Sequence, residues 1–555
     1  MRKKWLRKTI SSLLAVTMVL GLASCGDVQE QQEATSQVDK ASETSKEQEG
    51  TAGAEKESTT YPLDTDISLN IWCGNQMTVS DDYLSWKESP FHTGLAEKTG
   101  IEMNWIYPTK GADVEQAYNL VWLDTEVPEI VYHAVGPDTG QILINDNSIW
   151  DLTEYLPEYA PNYWEWINRP ENEAEKRALM TTDGQFFCIP AMRESNYNLT
   201  WVGPIIRQDW LDECGLETPV TLEDWEKVLV TFKDKYNANL SFAMGYANLC
   251  GGIASGVGSL GFSNTLDFRV TDEGKIVIPQ VMPEWVEMME VLVDWWDKGL
   301  LDHDCLTADD DSIRTKALSG EIGISFVAMS GFTNIVNDAT NEKNGANWVG
   351  LSYPRTEPGA PTSMITTSAN KLSGFGALIT KAATEEEMIT ALKWLDYGWT
   401  EEGVMYWNFG EEGESYFIDE NGNPQWVDAI KNDPMGLDYA IQRYSGAAGS
   451  APVIQLSDFV AAKNAPIVAE AVGVWSENTE APKHYLPSLP MSEEDTNRWI
   501  ELWMSVWTYL NEECTKMLVG ERPLSESEDM IATANEMGLE EILSIFQKYY
   551  DEYAK

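Results

Sequence analysis

The chain has 555 residues, 43% of them apolar, and carries 90 acidic against 38 basic side chains, a net charge of −52 at pH 7. That much apolar material excludes a wholly disordered chain and is enough for more than one core. The charge argues against a nucleic acid partner, which must be held through Lys and Arg, and gives the folded part no attraction to an acidic membrane surface.

The first element is an export signal over residues 1–24. Arg2, Lys3, Lys4, Arg7 and Lys8 are followed by an apolar stretch from Ile10 to Leu22, too short to span a membrane. The run Leu22-Ala23-Ser24-Cys25-Gly26 matches the lipobox of bacterial lipoproteins, so Cys25 is expected to be acylated and to become the first residue. Two or more acyl chains, at about 0.8 kcal/mol per buried methylene, hold a protein on a membrane where one does not. From Gly26 to Thr60 there is no aromatic residue, a composition that cannot fold and serves as a tether. Residues 25–60 are thus read as lipid anchor and tether, placing the body on the outer face of the cell membrane.

From Tyr61 onward strands and helices alternate. Strand patterns at Ile67–Trp72, Ile101–Tyr107 and Glu129–Tyr132 enclose helical stretches at Leu84–Thr99 and Val114–Leu123, an order that favours a largely parallel sheet covered by helices. After Thr200 come a helix containing Asp209 to Cys214 and another at Leu222–Tyr236 with Thr221 and Asp224 as its capping pair. A hairpin is expected around Asp272-Glu273-Gly274, and an apolar helix at Glu284–Lys298. Near Thr496–Glu513 a helix places Trp499, Trp503, Val506, Trp507 and Leu510 on one face, read as core. Asp419-Glu420-Asn421-Gly422-Asn423 begins like a calcium loop, but Pro424 and Ile430 stand where it needs Gly and Glu, so it reads as a hairpin turn. Four His without a clustered pair signal no metal site, and no cofactor is expected. The six cysteines after Cys25 are sparse and read as buried thiols.

Several segments, in order, resemble the extracellular solute-binding proteins of ABC transporters, family 1, in particular the large Gram-positive lipoproteins. They are Thr182-Asp183-Gly184-Gln185-Phe186-Phe187-Cys188-Ile189-Pro190, Ile206-Arg207-Gln208-Asp209-Trp210-Leu211, Phe375-Gly376-Ala377-Leu378-Ile379, and Asn408-Phe409-Gly410-Glu411-Glu412-Gly413. The resemblance implies an α/β fold: a two-lobed, type II periplasmic-binding-protein-like clamp, each lobe a sheet flanked by helices, with three interlobe crossings. One lobe is expected at 61–192 plus 374–444, the other at 193–373 plus 445–555.

Ligands of open α/β sheets sit beyond the carboxyl ends of the strands. Trp72, Asn75 and Gln76 follow the first strand, His133 and Asp138 the third, and Glu194, Asn196 and Tyr197 lie at the first crossing. The resemblance adds Tyr246, Asn248, Met329 and Phe332 from the second lobe, with Trp407 and Glu411. Arg207 and Asp209 read as a local ion pair. Aromatic faces stack on a pyranose while amides and carboxylates take its hydroxyls. The function implied is that of the substrate-binding component of an ABC importer, not an enzyme: a monomer that captures a carbohydrate and delivers it to permease subunits, the net charge disfavouring acidic ligands and the length and Trp content leaning toward a neutral oligosaccharide of several units. A peptide receptor on the same clamp is the alternative, ahead of a glycan-processing enzyme or a structural surface protein.

Overall fold

Short runs rich in branched and aromatic side chains become strands. In the computed structural model, which describes residues 59–74, 89–109, 112–242, 252–260, 268–363, 371–449, 451–487, 489 and 491–554, β1 is Ser68–Cys73, β2 Glu102–Ile106 and β3 Ile130–Ala134. Helices α1 (Pro90–Thr99) and α2 (Val114–Val121) return between them, and α3 (Pro137–Asn145) follows β3. β1 pairs in parallel with both β2 and β3, as the β-α-β order predicts.

After β4 (Ile189–Arg193) and the single-turn α4 (Asn196–Leu199), the chain enters a second sheet at β5 (Val202–Arg207). There follow α5 (Leu222–Tyr236), β6 (Asn239–Phe242), the hairpin β7 (Arg269–Val270) and β8 (Ile276–Val277), α6 (Pro283–Asp297), β9 (Ile322–Ala328), α7 (Met329–Val336) and β10 (Trp348–Gly350). β11 (Leu372–Ile379) returns to the first sheet, followed by α8 (Glu385–Tyr397), α9 (Glu401–Phe409) and the hairpin β12 (Tyr416–Ile418) and β13 (Pro424–Trp426). β14 (Ile454–Gln455) precedes α10 (Ser457–Lys463), α11 (Pro466–Ser476), α12 (Glu493–Leu518) and α13 (Leu539–Tyr553).

The first sheet has the order β14-β4-β11-β3-β1-β2 and the second β10-β5-β9-β6. The chain passes between them three times: after β4, before β11 and after β14. Leu69, Ile130 and Leu392 belong to the core of the first sheet; Trp225, Trp285, Trp295 and Trp475 belong to that of the second. A third, smaller core gathers Phe409, Trp426, Ile441 and Phe459 around α9, the β12–β13 hairpin and α10.

Local readings hold in several places. Thr221 and Asp224 form the reciprocal capping box of α5. Asp419 Oδ1 accepts from the backbone N–H of Asn421 and Asn423, both at 2.9 Å, so this carboxylate closes a hairpin turn. Arg207 pairs with Asp209, 2.8 Å from Nε to Oδ1, and lies over the Trp210 ring. Cys73, Cys188, Cys214, Cys305 and Cys514 are free thiols, all but Cys214 buried. On α12, Trp503, Val506 and Leu510 are buried, but Trp507 is 37% exposed. It lies at the flank of the apolar stripe, beside exposed Ile500 and Met504, so the buried face is narrower than the sequence periodicity suggests.

Candidate functional site

The crossing after β4 joins the carboxyl edge of the first sheet to the start of β5. Because β9 runs antiparallel to β5 and β6 runs parallel to β9, the edge of the second sheet that holds the start of β5 also holds the carboxyl ends of β6 and β9. The two carboxyl edges therefore lie on the crossing side, where ligands of such sheets bind. The crossing strands are laced together: Met192 N–H donates to Val453 O (3.0 Å), Arg193 N–H to Lys371 O (2.8 Å) and Glu194 N–H to Gln455 O (3.1 Å).

On this edge an open recess of about 460 Å³, part of it solvent, has Ile71, Cys73, Trp105, Tyr107 and Tyr132 as its floor and Phe91, His92, Trp407, Gly446, Ala451 and Pro452 as its walls. Strand alternation puts these floor residues on one face, since Ile71 pairs with Trp105 and Cys73 with Tyr132. The first turn of α1 forms one wall because that helix runs back against β1. Its N-cap is Ser89, whose hydroxyl shares a 2.7 Å hydrogen bond with His92 Nδ1, while His92 Nε2 shares one of 3.1 Å with the Tyr107 hydroxyl. The His92 ring lies edge-on to Trp105 with centroids 4.4 Å apart. Trp407 meets Phe91 edge-to-face at 5.0 Å. Gly446 is required there, because a Cβ would stand 2.4 Å from the Trp407 ring and 2.6 Å from Phe91. Asn408 ties α9 to β14, donating to Ile454 O (2.8 Å) and accepting from Leu456 N–H (2.9 Å). Among the described residues the buried Tyr132 hydroxyl has no partner, and burial raises its pKa. The recess is thus an aromatic pocket with one polar rim, but its rings are buried in the first core, Trp407 at 3% and Trp105 at 7% exposure, so it presents a narrow mouth rather than an open stacking face.

A second recess of about 220 Å³ adjoins the first through Ala451 and is lined by Arg193, Ser373, Ala447 and Gln455.

Of the residues singled out from the sequence, Trp407 lines the first recess. Trp72 is buried on the opposite face of the sheet, with its ring 5.8 Å from His133 and 6.1 Å from Tyr118. His133 is buried beside it, stacked on Tyr118, with Nε2 3.1 Å from Glu115; burial lowers its pKa, and Glu115 opposes that shift. Asp138 is exposed on α3. Glu194 Oε2 accepts from Ser457 N–H (2.7 Å), Asn196 opens α4, and Tyr197 donates to Ala469 O (3.2 Å) while packed between the second and third cores. Met329 is half-buried at the start of α7, and Phe332 is fully buried against Trp475, so its ring offers no open face. Glu411 is paired with Lys98 at 2.9 Å. Lys98 is in the last turn of α1, six residues or about 9 Å along the axis from His92, so Glu411 sits toward the far edge of the sheet. Asn75, Gln76, Tyr246, Asn248 and Cys25 lie outside the described residues.

Sequence reasoning missed Phe91, His92, Trp105 and Tyr132. For Trp105 and Tyr132 the signal was strand parity, since they pair with Ile71 and Cys73, which face the other way from Trp72; Phe91 and His92, on α1, carried no such signal.

No family model matches the chain. FusA of Streptococcus pneumoniae serotype 4, a fructooligosaccharide ABC transporter substrate-binding protein, is 22% identical over 504 residues, 83% of this chain and 86% of FusA. Lipoprotein LipO of Bacillus subtilis is 24% identical over 357 residues, 59% of this chain and 64% of LipO. The chain is a relative of ABC transporter substrate-binding proteins. Its two-lobed fold is theirs as well: a solute-binding protein from Bifidobacterium longum infantis, described as binding HMO, superposes with a TM-score of 0.66 at 16% identity over 89% of this chain and all of that one. Among the described residues no helix is long and apolar enough to cross a membrane, and no group of three His, Cys, Asp or Glu is placed to hold a metal.

Proposed function

We propose that this chain is the carbohydrate-capturing component of an ABC importer, acting without covalent chemistry. The aromatic recess at the paired carboxyl edges of two sheets carries this reading, and the fructooligosaccharide binding named for FusA supports its ligand class. Lobe boundaries follow the crossings: the expected division, 61–192 plus 374–444 against 193–373 plus 445–555, shifts so that Arg193, Leu372, Ser373 and the chain through Gln455 of β14 go with the first sheet and the remainder with the second. The oligosaccharide lies across the mouth of the recess that Trp407 and Trp105 line, and residues of the second sheet's edge, Met329 among them, approach it when the lobes close. Closure follows because a ligand touching both lobes binds the closed state better than the open one. The mature protein is a monomer acylated at Cys25, held on the outer face of the membrane and received there by permease subunits.

A thermal-shift and calorimetry screen against oligosaccharides and peptides tests the assignment. Stabilisation by an oligosaccharide is the expected result; stabilisation by peptides alone would replace this reading with that of a peptide receptor.

A further inference from the structure

Arg193 ends β4 in register with Gln455 of β14, and both line the second recess. Along β4, Arg193 shares its face with Ile189, which pairs with Ala377; Ala377 in turn pairs with Tyr132. Its side chain therefore leaves β4 on the same face as the aromatic recess, about 10 Å across the sheet from Tyr132 and about 13 Å further along the strand direction. The side chain is half-buried, and one of its five N–H donors is accounted for, by Asn198 O at 2.8 Å from Nη1. Among the described residues no carboxylate pairs with it. The adjacent Glu194 has its carboxylate turned to Ser457 N–H. Burial lowers the Arg193 pKa with no anion opposing the effect.

An unpaired guanidinium is out of keeping with a chain that has 90 acidic side chains. Burying a charge without a counter-ion is costly, and a planar fork with free donors matches an oxyanion. The net charge of −52 repels anions at long range, but screening limits that effect to about 8–10 Å at physiological salt, whereas Arg193 acts at contact. We propose that Arg193 is the anion-recognising residue of the cleft, and that the captured oligosaccharide carries an oxyanion, a uronate carboxylate or a sulfate ester, across the sheet and further along the strands from the mouth of the aromatic recess. This rests on the carbohydrate reading above and narrows its substrate class. Ser373 and the Gln455 amide, which line the same recess, supply neighbouring hydroxyl contacts.

The test is calorimetry on the full chain with matched probes: oligogalacturonate and oligoglucuronate with their methyl esters, a sulfated oligosaccharide with its desulfated form, and neutral kestose and maltotriose. The expected result is that one acidic probe binds more tightly than its neutral counterpart, and that Arg193→Gln lowers its affinity by roughly 30-fold or more while leaving the neutral counterpart within about threefold. The arm that responds separates carboxylate from sulfate. Arg193→Lys, which keeps the charge and loses the fork, should retain part of the preference, and serves if Arg193→Gln does not fold by thermal melting. The proposal is overturned if a neutral probe binds best in the unaltered protein, or if both variants weaken acidic and neutral probes alike. Binding of peptides alone would instead remove the carbohydrate reading on which it rests.

Discussion

At the scale of single residues, two tryptophans of the first core, Trp72 on β1 and Trp407 on α9, differ in that only the second borders the recess. Trp72 is enclosed by Tyr118 and His133, so Trp72→Ala should cost about 3–5 kcal/mol of stability in chemical denaturation and leave little folded protein to assay. Trp407 is as buried as Trp72, so Trp407→Leu, which keeps an apolar side chain in the wall but removes the ring, should lower the denaturation midpoint, and calorimetry should show affinity for the best oligosaccharide falling about tenfold as the recess wall loosens. Asp396 offers a pH readout. It is fully buried, accepts from Tyr163 N–H (2.8 Å) and Asn162 Nδ2 (2.7 Å), and burial pushes it up to about 6. Since its folded value lies above its unfolded one, the native state holds the proton longer, and stability falls as pH rises from about 4 to 6, by about 3 kcal/mol. Asp396→Asn should flatten that slope in urea midpoints measured at both ends of the range; an unchanged slope would exclude Asp396 as its source. The sequence points to Trp72 and Trp407 equally, because both are aromatic residues beside polar, Gly-containing loops. Both rings are buried in the first core, and only the neighbouring strands and helices decide which of them borders the recess. Arg193 opens the crossing segment that the sequence does mark, but its lack of a carboxylate partner is a property of the folded surroundings.

At the scale of elements, the lacing of α9 to β14 holds the recess wall against the crossing strands. Asn408→Ala removes the acceptor for Leu456 N–H and the donors to Val404 O and Ile454 O, in a fully buried place. The expected loss is about 2–4 kcal/mol, read as a lower thermal midpoint, whereas a change within about 0.5 kcal/mol would mean the staple is redundant. Elements set by local chemistry were legible in advance: α5 occupies the predicted Leu222–Tyr236 because its capping box is a short-range pattern. The face of β1 that meets the recess was not, since alternation tells two faces apart without naming the one that meets the core. The third core was hidden for a related reason, because Phe409, Trp426 and Phe459 come from segments whose meeting depends on the crossings.

At the scale of the whole molecule, the alternation of strand and helix and the ordered segments around Asp183, Asp209 and Gly376 made the two-sheet architecture readable, while the ligand could be narrowed only from the cleft. The anchor has its own prediction: Cys25→Ala should move the protein from the membrane fraction to the medium, and unchanged fractionation would count against acylation there. The central claim is that an oligosaccharide draws two hinged lobes together. Small-angle scattering with and without a saturating amount of the tightest-binding oligosaccharide tests it most directly. The account predicts a smaller radius of gyration and a shorter maximum dimension in the bound state; identical profiles at proven saturation would contradict it.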